Sequence, residues 1–180
     1  MEKHPNVEYV MLSERKIAKR VKELAAQMDK LYGGRTPVVV CILKGSVLFF
    51  TDLIRNMKTP LTIDFMSVSS YGNGTTSGEL RIKQDLATDI TGRDVLIVED
   101  IIDSGNTLYN LKKLLNSRSP ASVNIVTLLD KPARREVPIE PEYTGFVIED
   151  EFVVGYGLDY AEEYRNLPYV GVLKRSVYEN

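Results

Sequence analysis

Residues 95 to 108 read VLIVEDIIDSGNTL, an apolar run that delivers three carboxylates to a small polar turn. Ser104, Gly105, Asn106 and Thr107 stand between a strand-like and a helix-like stretch. A glycine-containing turn in that place lets several backbone N–H groups converge at a helix N-terminus, where the helix dipole adds partial positive charge. The result is an anion site sized for a phosphate, with the hydroxyls of Ser104 and Thr107 as further donors. Glu99 and Asp100 beside it would repel a phosphate unless they serve another group. Two uses fit: accepting hydrogen bonds from ribose hydroxyls, or holding Mg²⁺ that neutralises a polyphosphate. Asp103 is a third acid, in the turn itself, and a candidate general base. The plainer alternative is a solvated acidic turn with Asp103 as a helix cap. Any one acid alone would favour it; three acids beside a phosphate-type turn do not. Neither a G-x-x-x-x-G-K-[ST] loop nor a G-x-G-x-x-G turn occurs, so the two commonest nucleotide-binding turns are excluded.

These residues need elements to hold them. After Ser13, a plausible N-cap, apolar residues fall at Ile17, Val21, Leu24, Ala25, Met28 and Leu31, a helical period that Gly33-Gly34 ends. PVVVCIL, residues 37 to 43, is a continuous apolar run that suits a parallel strand covered on both faces. LKGS follows, then a helix from about Val47 to Met57. Residues 61 to 70 alternate as a strand, YGNGTTSG has the composition of a mobile loop, and LRIKQ reads as a return strand. DVLIVE, residues 94 to 99, is the next buried strand; Asn106 to Asn116 has helical spacing; SVNIVTLLD, residues 122 to 130, is another strand. GFVI, FVVGY and YVGVL are short strand candidates. Such alternation predicts an α/β domain with a mostly parallel central sheet flanked by helices, whose ligands bind at the carboxyl ends of the strands.

Composition narrows the classes. The chain has 180 residues, 43% hydrophobic and 27% charged, which suits a single soluble domain. A net charge of -2 gives no basic field for nucleic acid or an anionic membrane. No apolar stretch approaches the roughly 20 residues of a membrane helix. MEKHPNVEYV lacks the apolar core of a signal peptide, which makes the cytoplasm the expected compartment. The single cysteine, Cys41, excludes an internal disulfide and reads as a small core residue. His4, the only histidine, sits in what reads as a frayed terminus, so histidine-based catalysis and His-rich metal sites are not expected.

VLIVEDIIDSGNTL closely resembles the phosphoribosyl-pyrophosphate motif of type I phosphoribosyltransferases, and EDIIDSG resembles the form found in the hypoxanthine-guanine branch. Four other segments resemble that branch in the same order: LKGS (43–46), SSYG (69–72), LLDKPARR (128–135) and FVVGYGLDYAEEYRNLP (152–168). The resemblance runs from about residue 9 to 173. It implies the type I phosphoribosyltransferase fold: one domain over residues 1–180 with a core at about 35–145. A small hood lobe would be formed by the chain ends, about 1–15 and 146–180, and a mobile catalytic loop would lie at about 69–80.

The resemblance also implies roles. Glu99 and Asp100 would meet the ribose diol, directly or through Mg²⁺; Asp103 would act on N7 of a purine joined through N9; residues 104 to 107 would hold the 5′-phosphate. Leu43-Lys44 would be a non-proline cis peptide presenting the Lys44 and Gly45 backbone to pyrophosphate, with Ser46 a departure from a second glycine common in the family. Lys131 would donate to the purine 6-oxo group; Phe152 would stack on the ring and Val153 would read its edge. Adenine carries an amino donor there and would leave a buried ammonium unpaired. Asp159 would bind a second Mg²⁺, Arg165 would pair with pyrophosphate, and Ser70 and Tyr71 would touch the substrate phosphates from a lid that excludes water. Arg135 could reach pyrophosphate or a subunit neighbour. Read without the family, Lys131, Asp159 and Arg165 are surface charges and Phe152 is core.

The expected activity is purine salvage: Mg²⁺-dependent transfer of a phosphoribosyl group from phosphoribosyl pyrophosphate to a 6-oxopurine, hypoxanthine and guanine, by a homodimer or homotetramer that binds neither nucleic acid nor membrane. Three alternatives stay open: a transferase of the same fold for another base such as xanthine, a phosphoribosyl-pyrophosphate-sensing regulator that binds nucleic acid, and a structural or interaction protein of this fold, which would have no need of Lys44, Asp103, Lys131 and Arg165 together. The second would call for a basic surface and an altered Asp103, and the sequence has neither.

Overall fold

The structure, a computed structural model, describes residues 2–70 and 80–179. Six strands form the main sheet: β2 (Val38–Leu43), β3 (Thr62–Ser70), β4 (Leu80–Gln84), β5 (Asp94–Ile102), β6 (Ser122–Asp130) and β7 (Tyr143–Val147), in the order β4-β3-β2-β5-β6-β7. All neighbours are parallel except β4, which returns antiparallel along β3. Helices α1 (Glu14–Tyr32) and α2 (Val47–Asn56) cover one face and α3 (Asn106–Asn116) covers the other.

The unbroken apolar run of β2 is explained by this two-sided cover. Val39 and Cys41 point into the cluster that holds Leu24, Met28 and Phe49, while Val38, Val40 and Ile42 join the one that holds Leu108 and Leu111. A strand alternates its side chains between faces, so a strand covered twice must be apolar at every position. Helix α1 starts as its sequence predicts, with Ser13 Oγ accepting from Lys16 N at 3.3 Å, and buries Ile17, Val21, Leu24, Ala25 and Met28 along one stripe.

Strand β5 is longer than DVLIVE alone predicts. Ile101 still pairs with Leu129 and Ile102 with Asp130, so the ladder continues past both acids to Ile102. Glu99 and Asp100 are therefore strand residues, held by sheet hydrogen bonds rather than by a loop. A second, antiparallel sheet of three strands has the order β1-β9-β8, built from β1 (Val7–Leu12), β8 (Val153–Val154) and β9 (Val170–Leu173). It has its own small core of Val7, Val154, Tyr169 and Leu173. Helix α4 (Arg175–Tyr178) packs against it through Val177 and Tyr178. His4 is not frayed: its ring meets Tyr164 edge-on at 5.3 Å, its Nδ1 accepts from Asn6 N, and its backbone N–H donates to the Tyr169 hydroxyl. No helix among the described residues is long and apolar enough to cross a membrane.

Candidate active site

Strands β2, β5 and β6 end side by side, and their last residues carry the predicted chemistry. At the end of β5, Gly105 takes φ +84°, a left-handed conformation that a side chain rarely adopts, and opens α3. A Cβ there would stand 2.7 Å from Ile139 Cγ2 and 2.9 Å from Arg135 Cδ, so the position demands glycine twice over. No acidic side chain lies in the first turn of α3, which leaves its N–H groups free for an anion. Ser104 Oγ accepts from Asn106 N at 3.4 Å and from Asn106 Nδ2 at 3.2 Å. Asn106 Nδ2 also donates to Glu136 at 2.6 Å, so its side chain braces the turn.

At the end of β2, the Leu43–Lys44 peptide is cis. Ser46 is fully buried beneath that turn, and its hydroxyl donates to the Ile42 carbonyl at 2.6 Å and lies 3.3 Å from Cys41 Sγ. Serine in place of a second glycine thus ties the turn back to its strand. Gly45 is squeezed from two sides. A Cβ on it would lie 1.7 Å from Asp100 Oδ2, and a Cβ on Gly157 would lie 1.9 Å from the Gly45 carbonyl oxygen. Glycine at both positions lets the β2 turn, the β5 carboxylate and the hood loop meet at backbone contact.

The carboxylates differ in their surroundings. Glu99 Oε1 accepts from Asp100 N at 3.3 Å, and Asp100 Oδ1 accepts from Ile101 N at 2.9 Å. Burial, and then the neighbouring charge of Asp100, push the Glu99 carboxyl well above its ordinary value. Two crowded carboxylates of this kind suit a divalent cation, which would relieve their repulsion. Among the described residues no three His, Cys, Asp or Glu side chains converge closely enough to enclose a metal. Mg²⁺ commonly uses one or two carboxylates and completes its shell with substrate oxygens and water, so the pair fits that pattern. Asp159 is already engaged: its Oδ1 meets Arg165 Nη2 at 2.9 Å and its Oδ2 accepts from Glu162 N at 2.9 Å.

Asp103 lies 2.6 Å from Arg134 Nε through Oδ1, off the N–H axis, so that buried oxygen has a positive neighbour but no hydrogen-bond donor among the described residues. Arg134 also reaches Asp150 at 3.3 Å, and Asp150 stands 3.7 Å from Lys131 Nζ. Lys131 is buried, its backbone N–H donating to Ile102 O at 2.9 Å and its ammonium to Glu151 O at 2.6 Å. It is no surface lysine; β6 ends by burying it. Arg135 turns inward, bonding the Asp103 carbonyl and pairing with Asp130 as an internal brace. Lys44 extends into solvent and pairs with Glu162 at 2.9 Å, a contact that also holds the Glu162 carboxyl below its ordinary value.

Asp159 and Arg165, in the stretch DYAEEYRN, look solvated, yet the loop folds them into the cleft. Arg165 Nη1 donates to Gly157 O at 2.8 Å, while its Nε is buried with no partner among the described residues. An orphaned guanidinium donor is costly unless an anion satisfies it. Two cavities result. One, about 310 Å³, is lined by Lys44, Gly45, Glu99, Thr107 and Arg165; the other, about 600 Å³, by Lys131, Phe152, Val153 and Tyr178. They meet at Asp100, Ile101, Asp103 and Asp159, which line both. Ser70 is the last residue of β3, and Tyr71 lies outside the described residues. Arg134, Glu162 and Tyr178 were not anticipated from sequence. Only the paired arginines of DKPARR offered a signal for Arg134, and none marked the other two.

A family model described as the phosphoribosyl transferase domain matches residues 11–161. The chain belongs to the phosphoribosyltransferase family. It is 54% identical to the hypoxanthine-guanine phosphoribosyltransferase of Bacillus subtilis, over all of both chains. The crystal structure of a hypoxanthine phosphoribosyltransferase from Staphylococcus aureus superposes with a TM-score of 0.95 at 54% identity, covering 98% of this chain and 97% of that one. The chain also matches the bifunctional protein TilS/HprT of Listeria innocua at 54% identity, covering 97% of itself but 27% of that longer protein. Within the phosphoribosyltransferase family it therefore sits in the hypoxanthine-guanine branch, with the α/β fold and mostly parallel sheet of its relatives.

Proposed function

We propose that the chain catalyses the Mg²⁺-dependent transfer of the 5-phosphoribosyl group from phosphoribosyl pyrophosphate to N9 of hypoxanthine and of guanine, releasing pyrophosphate with the nucleotide. The observation that carries this reading is the pair of cavities joined at Asp100 and Asp103. A sugar bridging the junction would place its phosphates among backbone donors and its anomeric carbon toward a base in the larger cavity.

The turn from Ser104 to Thr107 holds the 5′-phosphate, and the Lys44–Gly45 backbone with Arg165 holds the pyrophosphate. Glu99 and Asp100 would hold Mg²⁺ and the ribose hydroxyls, with Asp159 the carboxylate for a second ion. When bound, Mg²⁺ supplies positive charge against the departing pyrophosphate. The bond from the anomeric carbon to pyrophosphate oxygen breaks as the bond to N9 forms, and Asp103 takes the purine proton at N7. For Asp103 to do so, Arg134 must yield that oxygen, or share it. Lys131 selects the 6-oxo group: with adenine its buried ammonium would meet a donor, a mismatch that sites of this kind reject strongly. A homodimer or homotetramer acting in the cytoplasm, with a core at about 35–145 and a hood from the chain ends, belongs to the same reading.

The test is spectrophotometric. Purified protein with phosphoribosyl pyrophosphate and Mg²⁺ is expected to consume hypoxanthine and guanine, not adenine. Asp103→Asn should slow the reaction and a chelator should stop it. Binding of phosphoribosyl pyrophosphate without turnover of any base would replace the enzyme with a sensor of that sugar.

A further inference from the structure

Phe152 is 38% exposed, which is unusual for a large apolar ring, and its neighbours explain the exposure. Tyr178, in α4, stacks on it with centroids 4.8 Å apart and planes 23° from parallel. Tyr160 meets Phe152 at 5.6 Å and 85°, and lies 6.5 Å from Tyr178. That triangle sets Tyr160 beside the Phe152 ring rather than across it from Tyr178. One face of Phe152 is thus covered, one edge is propped, and no aromatic ring among the described residues covers the other face. Tyr178 is anchored in turn, for it packs with Val177 against the hood core of Val7, Val154 and Leu173. The Leu173 backbone N–H donates to the Phe152 carbonyl at 2.8 Å, which fixes the backbone from which the ring projects. Tyr178 also lines the cavity that holds Asp103 and Lys131.

We propose that Tyr178 is a positioning residue of the purine pocket: it backs Phe152 and holds that ring in the plane on which the base stacks. This rests on the reading of the larger cavity as the purine site. A phenyl ring at an open cavity can turn about two side-chain torsions, and a base that had to still it would bind more weakly. Offset stacking against Tyr178 stills the ring before the base arrives. The Tyr178 hydroxyl makes no hydrogen bond among the described residues, so the ring and not the hydroxyl does the positioning.

The test compares wild type, Tyr178→Ala and Tyr178→Phe, measuring KM for hypoxanthine, KM for phosphoribosyl pyrophosphate, kcat and the melting temperature. Tyr178→Ala is expected to raise KM for hypoxanthine roughly three- to tenfold, the size of one aromatic pair, with the other constants nearly unchanged. Tyr178→Phe should behave as wild type. A KM for hypoxanthine that stays level or falls in Tyr178→Ala would overturn the proposal, since Tyr178 would then be a bystander or an occluder. Equal rises in both KM values, or no rescue by phenylalanine, would also overturn it, by showing general loosening of the hood or a role for the hydroxyl. Failure of wild type to use any purine would instead bring down the purine reading, and this proposal with it.

Discussion

The two cavities hold their charges in opposite ways. In the smaller one, the turn from Ser104 to Thr107 offers backbone N–H groups, and no acidic side chain competes for them in the first turn of α3. In the larger one, Lys131, Arg134, Asp103 and Asp150 are already paired in ionic contacts of 2.6 to 3.7 Å, with one Asp103 oxygen lacking a hydrogen-bond donor among the described residues. Backbone donors cannot turn away, so the phosphate side is organised before any ligand arrives. Side-chain ion pairs must be exchanged, so a base entering the purine side replaces existing partners and gains only the difference. The phosphate side should therefore respond to changes in backbone shape, and the purine side to changes in charge.

The largest expected effect comes from shape. Gly105→Ala places a methyl group 2.7 Å from Ile139 and 2.9 Å from Arg135 at a φ of +84°. kcat/KM should fall at least about 100-fold, roughly 3 kcal/mol, with titration calorimetry showing lost affinity for phosphoribosyl pyrophosphate. Near-normal binding in that variant would mean that the turn is not the phosphate cradle. The next effect comes from charge. Lys131→Met keeps the length of a buried chain and removes its ammonium. kcat/KM for hypoxanthine should fall roughly 30- to 100-fold, about 2–3 kcal/mol, while calorimetry shows affinity for phosphoribosyl pyrophosphate unchanged. A matching loss of that affinity would break the separation between the two sides.

How much of this was legible depended on how local each signal was. Helix α3 and strand β6 follow their predicted spans residue for residue, because helical spacing fills the first, a β-rich and mostly apolar run fills the second, and a turn punctuates each end. The end of β5 was misjudged because two acids look like the close of a strand. Their side chains line the cleft while the ladder to β6 runs on past them to Ile102. The hood strands were hardest. Strand β8 has two residues, and β1 pairs with β9, which lies at the far end of the sequence. FVVGY and YVGVL read as short strand candidates and β1 did not, and no local periodicity encodes their union in one sheet. The same holds for the pairs that tune the site. Arg134 meets Asp103 across the cleft, and Tyr178 meets Phe152 only because β9 returns beside β8. The chemistry of β5 could be read because its residues are consecutive; partners brought together by tertiary packing could not.

The smallest expected effect tests whether the carboxylate wall of the smaller cavity, Glu99 beside Asp100, stores repulsion that the phosphate turn in the same cavity does not. Burial and the charge of Asp100 raise the Glu99 carboxyl in the folded chain. The folded state then holds its proton more tightly than the unfolded state does, so stability is lost as pH rises from the ordinary carboxyl value of about 4.3 toward the raised one. Glu99→Gln removes the charge and should recover that loss. At pH 7.5 and without ligand, its melting temperature should exceed that of wild type by roughly 2–4 °C, the shift that about 1 kcal/mol gives a chain of this size. The gain should shrink toward zero as pH falls well below about 4.3, where the wild-type carboxyl becomes protonated in both states. Thr107→Ala, on the phosphate side, should change melting by the same amount across that range, since no titrating group is touched. On the proposed reading, adding Mg²⁺ with phosphoribosyl pyrophosphate should then stabilise wild type more than Glu99→Gln, because the cation would meet two carboxylates in one and a single carboxylate in the other. A difference between Glu99→Gln and wild type that stays constant with pH would show that the carboxylate wall and the phosphate turn do not differ in stored charge.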